Sequence, residues 1–223
     1  MIVALLLVLP CIPSAAPIGV KPEKANRWEK AILAFEEKER QQMPPPGGIL
    51  FVGSSTIRIW NVQECFPELD ILNRGFGGSD YADVAQSASR IILPYRPKTI
   101  VLYAGDNDIA GGKSADQVFK DFSDLVAQIR SALPDALIIV LSIKASPARW
   151  NNYPEMKKAN TRVSEWAQKQ PRIKFVDMGT PLLDSEGHPR RELFMEDGLH
   201  LNLEGYKIWT AIVKPLLVEA TGR

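Results

Sequence analysis

Acyl transfer needs a nucleophile, a base to take its proton, and donors for the negative charge that then develops. The chain carries a candidate for each. Its hydroxyls stand in Gly53-Ser54-Ser55-Thr56, where the apolar run Ile49-Leu50-Phe51-Val52 stops. Ser55 is the nucleophile we single out, with Ser54 and Thr56 open beside it. Two histidines narrow the choice of base. His188 lies in the polar turn Asp184-Ser185-Glu186-Gly187-His188-Pro189, and His200 closes Asp197-Gly198-Leu199-His200. In a turn, the Asp197–His200 spacing puts carboxylate and imidazole on one side. There the acid fixes the tautomer and stabilises the protonated ring. Taken alone, an Asp-x-x-His reads better as a polar surface turn. Donors are offered by the glycine-rich Asn73-Arg74-Gly75-Phe76-Gly77-Gly78-Ser79 and by the amide in Gly105-Asp106-Asn107-Asp108.

These residues must be brought together by a sheet. Apolar runs at 49–53, 70–73, 99–104, 137–143 and 174–177 read as strands. They are continuous, as strands covered on both faces require. Helical patterns fill the gaps. Ser114 opens a capping box with Gln117, and Val118, Phe122, Leu125, Val126 and Ile129 follow on one face. Further helices are predicted over Tyr81–Ile92, Glu155–Gln168 and Asn202–Val218. In the last, Tyr206, Trp209, Ile212, Val213 and Leu216 turn inward, and Pro215 is expected to distort the end. Strands alternating with helices predict a parallel sheet with helices on both faces. The strand C-termini of such a sheet share one edge, which is where three of the candidate segments fall.

Ahead of this lies an amphipathic stretch over 22–42, with Trp28, Ile32 and Phe35 on one stripe. Met43-Pro44-Pro45-Pro46-Gly47-Gly48 ends it. Residues 1–16 have an apolar run and then small residues, the pattern of a secretory signal and its cleavage site. They predict a secreted or periplasmic protein. The run is too short to span a bilayer, so no stable membrane insertion is expected. The organisation expected is a signal at 1–16, a helix and Pro/Gly linker at 17–48, and one domain at 49–223. Net charge is +1, which gives no general pull towards nucleic acid. Of the two cysteines, Cys11 falls in the segment expected to be removed, so no structural disulfide is predicted.

Other motifs fall short. Gly111-Gly112-Lys113-Ser114 ends like a phosphate-binding loop, but Asn107 stands where its first glycine should be. Ser114 is instead read as a helix cap. No Gly-x-Ser-x-Gly elbow exists. Asp106 and Asp108 have no histidine or cysteine near them and read as solvated turn carboxylates rather than metal ligands. Arg149 and Trp150 follow the fourth strand and would border the cleft, as substrate contacts or as a loop anchor.

Together the four blocks resemble the SGNH, or GDSL-type, esterases and lipases. The blocks are Phe51-Val52-Gly53-Ser54-Ser55, Asn73 to Gly78, Gly105-Asp106-Asn107-Asp108, and Asp197-Gly198-Leu199-His200. Phe-Val-Gly-x-Ser and Gly-Phe-Gly-Gly are similar to the branch of platelet-activating-factor acetylhydrolase catalytic subunits. The resemblance implies a flavodoxin-like three-layer α/β/α sandwich with a five-stranded parallel sheet. It implies Ser55 as nucleophile, His200 as base and Asp197 as triad acid. The Ser55 N–H, the Gly78 N–H and the Asn107 amide become the oxyanion hole. It needs no cofactor or metal. The expected partner is a small ester, an acetylated sugar or a short-chain lipid ester, with short acyl groups preferred. A non-catalytic carbohydrate-binding module on the same fold is the alternative. One departure stands out: Ser54 occupies a position that is usually Asp in the family.

Overall fold

The structure is a computed structural model that describes residues 27–222. The expected signal, Cys11 and the first part of the 22–42 stretch lie outside the described residues. The chain runs α1 (Glu29–Gln41), β1 (Ile49–Gly53), α2 (Ser55–Ile59), α3 (Val62–Cys65), β2 (Ile71–Gly75), α4 (Tyr81–Ile91), β3 (Thr99–Tyr103), α5 (Asp106–Ala110), α6 (Ala115–Ala132), β4 (Leu137–Leu141), α7 (Tyr153–Ala167), β5 (Ile173–Val176) and α8 (Leu203–Thr221). The five strands form one sheet in the order β2-β1-β3-β4-β5, every pair parallel. This is the α/β/α sandwich that the sequence pattern predicts.

Side chains alternate across a strand, so each apolar run feeds two cores. From β1, Leu50 and Val52 join Ile100, Leu102, Ile138 and Val140 beneath α1, α4, α6 and α7. Ile49 and Phe51 join Val101, Tyr103, Ile139 and Leu141 on the other face, beneath α2, α3 and α8. Each such residue is worth about 1.5–3 kcal/mol when fully buried. That double burial is why the runs read as continuous.

Several boundaries differ from the sequence expectation. The second strand runs two residues further, to Gly75, because it pairs in register with β1 up to Gly53. The last helix continues through Pro215 to Thr221 and ends on Gly222 in the left-handed region. Pro215 lies inside the helix. A helix following Gly53-Ser54-Ser55-Thr56 was expected and is α2, whereas α3 and α5 have too few turns for periodicity to show, and the sequence reading missed them. The box of Ser114 and Gln117 is formed, and Asp80 with Asp83 makes a second at the start of α4.

Helix α1 lies on α4. Ile32 enters the core, with Trp28 and Phe35 packed against it. Arg90 of α4 grips Glu29 and Glu36, and the buried Arg74 pairs with Glu39 at 2.7 Å. Among the described residues no helix is long and apolar enough to cross a membrane.

Candidate active site

The turn after β1 depends on one glycine. Gly53 has φ +140, and a Cβ there would lie 1.8 Å from the Tyr103 carbonyl oxygen. Only glycine lets β1 and β3 stay this close. Ser54 then donates its N–H to that same oxygen at 3.0 Å, and Ser55 becomes the first residue of α2. A residue at that position has no intrahelical partner for its N–H. Asn73 holds the turn from the side. Its amide donates to the carbonyls of Ile57 and Trp60, and its oxygen accepts from the Gly75 N–H.

His200 sits 145 residues along the chain, and its Nε2 lies 2.9 Å from Ser55 Oγ. Its Nδ1 is 2.6 Å from Asp197 Oδ2. The other Asp197 oxygen accepts the N–H groups of Leu199 and His200. Gly198, at φ +64, allows the tight turn. Burial opposes ionisation of Asp197, but the hydrogen bonds from the His200 ring and the two N–H groups outweigh it. They hold the carboxyl down at about 2. The ionised acid accepts a hydrogen bond from Nδ1–H, which leaves Nε2 as the ring nitrogen that accepts the Ser55 hydroxyl. His188 is elsewhere. It is exposed, near Glu186 and against the Trp150 ring.

The proposed donors sit on the same edge. Gly78 has φ +77, and its N–H makes no hydrogen bond among the described residues. A Cβ on it would come within 3.1 Å of the Trp28 ring. Asn107 donates one amide hydrogen to the Ser79 carbonyl at 2.9 Å and accepts from Arg149 Nη2 at 2.9 Å. Both ends of the amide are fixed, which leaves its second hydrogen in one direction. The Ser79 hydroxyl lies within hydrogen-bonding distance of the Gly53 and Phe76 carbonyls, linking this turn to that of Ser55.

Behind Asn107 the structure corrects the sequence reading. Asp106 and Asp108 are buried, not solvated. Asp106 lies 3.3 Å from Arg149 Nη1 and 3.6 Å from Lys144 Nζ. The Arg149 contact is one of charge, because Nη1 has no aligned hydrogen-bond acceptor. Lys144 is 1% exposed, and loss of water lowers its pKa despite the attraction of Asp106. Asp108 accepts from the Tyr81 N–H and from Lys113, which also holds Asp80 and Asp121. Burial pushes its carboxyl up to about 6 against the pull of Lys113.

The sequence reading gave Arg149 and Trp150 a place at the cleft. Arg149 reaches Asn107 and Asp106, while Trp150 stacks on Tyr153 with ring centroids 5.1 Å apart. It missed Lys144. Its one sequence signal was a lysine closing the apolar run of the fourth strand. Ser54, where the family usually has Asp, is fully buried and its hydroxyl has no hydrogen-bond partner among the described residues. A carboxylate there would be a buried charge, which is costly without a partner.

Residues 61–208 match the family model described as GDSL-like Lipase/Acylhydrolase family, and the chain belongs to that family. It is a hydrolase acting on ester bonds. The fold is shared with solved structures. A protein from Streptococcus pneumonia named for platelet activating factor has 23% identity and a TM-score of 0.77, over 85% of this chain and 92% of that one. A GDSL-like lipase from Bacteroides thetaiotaomicron has 21% identity and a TM-score of 0.73, over 86% and 100%. A family 3 carbohydrate esterase from Talaromyces cellulolyticus has 16% identity and a TM-score of 0.63, over 79% and 99%. No curated protein matches the chain.

Proposed function

We propose that the chain cleaves carboxylic esters through an acyl-enzyme on Ser55, with His200 as base and Asp197 as the acid that orients it. The chain of contacts from Ser55 Oγ to His200 Nε2 and from His200 Nδ1 to Asp197 carries the reading. His200 takes the Ser55 proton as Oγ attacks the carbonyl carbon. The oxyanion is received by the N–H groups of Ser55 and Gly78 and by the Asn107 amide. The protonated His200 then gives its proton to the leaving alcohol, and the carbon–oxygen bond breaks. Water, activated by the same ring, releases the acid and restores Ser55.

Short acyl groups suit the site, because the Trp28 ring stands over Gly78 and Arg149 stands over Asn107. Both crowd the oxyanion side. The substrate class is a short-acyl ester, such as an acetylated sugar or a short-chain lipid ester. The apolar leader of the sequence supports export, to the periplasm or beyond. An alkyl fluorophosphonate should label the protein and fail to label Ser55→Ala. A folded wild type that takes no label would sink the mechanism. A p-nitrophenyl ester series should be fastest at short acyl chains, and a peak at twelve carbons or more would refute the acyl preference.

A further inference from the structure

A groove of about 600 Å³ opens between the α2–α3 segment and the first half of α8. Ile59, Cys65, Met195, Leu201, Leu203 and Tyr206 give it apolar walls. Four large apolar side chains are exposed among the described residues, and two of them, Met195 and the 64%-exposed Leu203, meet here. Such clustering on a surface marks a binding site more often than isolated exposure does.

Ser55 and His200 do not line the groove themselves, but residues next to them in the chain do. Ile59 is four residues after Ser55 on α2, so the two share a helix face with Cβ atoms about 5–6 Å apart. The Met195 N–H donates to the His200 carbonyl at 2.8 Å, and Leu201 is the residue after His200. From Leu203 the groove follows α8 as far as Ala211, about 12 Å at 1.5 Å per residue.

Asn61 and Glu64 are exposed polar residues on the α2–α3 side of the groove, and the rest of its polar lining is largely committed. The Tyr206 hydroxyl donates to the Thr56 carbonyl. The Asn202 amide is used on Glu192 and Phe194 and at the cap of α8. Thr210 accepts from the Trp60 ring, and Lys207 is paired with Glu204. Along the apolar walls and these committed groups a sugar would leave hydroxyls unpaired, at a real cost, whereas an alkyl or aryl group would not.

The chemistry says which half of an ester faces this way. His200 Nε2 must hand the Ser55 proton to the leaving oxygen, so the alcohol departs on the His200 side. We propose that the groove is the subsite for the alcohol half of the substrate, and that this alcohol is an alkyl or aryl alcohol rather than a sugar. The proposal rests on Ser55 and His200 acting as described above, and it narrows the short-acyl ester to one with an apolar leaving group.

The test compares two ester series on the full chain. Acetates of ethanol, butanol, hexanol and octanol vary the alcohol, and ethyl esters of acetic to octanoic acid vary the acyl group. With a methylene worth up to about fourfold, kcat/KM should rise at least about tenfold from ethyl to octyl acetate. Leu203→Glu and Ala211→Phe should each lower the octyl-to-ethyl ratio by about fivefold. Both positions are exposed, and an acid in the first turn of a helix is well tolerated. A flat alcohol series, or one that both variants leave unchanged, would overturn the proposal. So would an acyl series that climbs and is cut by the variants, or a sugar acetate cleaved faster than octyl acetate. Ester hydrolysis that survives Ser55→Ala has a different signature. It would overturn the catalytic reading, and this proposal with it.

Discussion

The two sides of the Ser55 hydroxyl are built in opposite ways. On the base side, Asp197 and His200 lie three residues apart in one turn, with side chains 46% and 21% exposed. Local N–H groups hold the acid. On the oxyanion side, Asn107 is fixed by Arg149 at a separation of 42 residues and by Ser79 at 28. Behind it sit the buried Asp106 and Lys144. In the proposed mechanism the proton-handling half is thus short-range, and the charge-receiving half is long-range and backed by a dry layer, with Gly78 and Asn107 themselves half-buried. The difference has a physical sense. A base must meet water to complete deacylation, while fixed donors are worth more where water does not compete.

Breaking the base half should cost most. His200→Ala is expected to lower kcat on p-nitrophenyl acetate by about 10⁴-fold or more, and Asp197→Asn by about 10³–10⁴-fold. Residual rates within tenfold of wild type would show that the turn is not the proton relay. Asn107→Ala should cost about 10²–10³-fold in kcat, the usual loss for one oxyanion donor. A smaller loss would leave the N–H groups of Ser55 and Gly78 to carry the charge alone.

Arg149→Met probes whether the long-range half depends on its distant tie. Freed of Arg149, the Asn107 amide can swing, and kcat should fall about tenfold with KM little changed. A rise in KM at constant kcat would instead make Arg149 a substrate contact, the role its sequence position suggested.

The smallest effect is one of pH, and the two halves respond with opposite signs. Asp197 is lowered to about 2, so its stabilisation is present above the ordinary carboxyl value near 4 and lost as pH falls through 2. Asp108, beside Asn107, is raised to about 6. Its contribution is full below about pH 4 and lost as pH rises through 6. Relative to wild type, Asp108→Asn should therefore gain a few degrees in Tm between pH 4 and 7. A Tm difference that stays level across that range would contradict the buried, proton-retaining state of Asp108.

The same contrast explains what could be read in advance. The β1 turn, the Asp-x-x-His spacing and the Ser114 cap are local patterns, and each is written in a few adjacent residues. The sheet was legible because both cores draw on alternate positions of the same apolar runs. Arg149, Asp106 and Lys144 meet only after β3 and β4 pair. No neighbour of Asp106 in the sequence announces a cation, so it read as a solvated carboxylate. The short helices α3 and α5 were hidden for a related reason, since four or five residues hold no repeat.

Helix α1 has a consequence for the order in which the protein is made. Its thirteen residues leave the ribosome before the segments they dock on, and a helix of that length is marginal in water by itself. Its clamps, Arg74, Arg90 and Tyr95, are translated later, the last of them 56 residues after its partner Glu39. Until then Trp28 has no Gly78 to cover. The wall over Gly78 is therefore a late event in biogenesis, set in place only once β2 and α4 exist to receive the first helix.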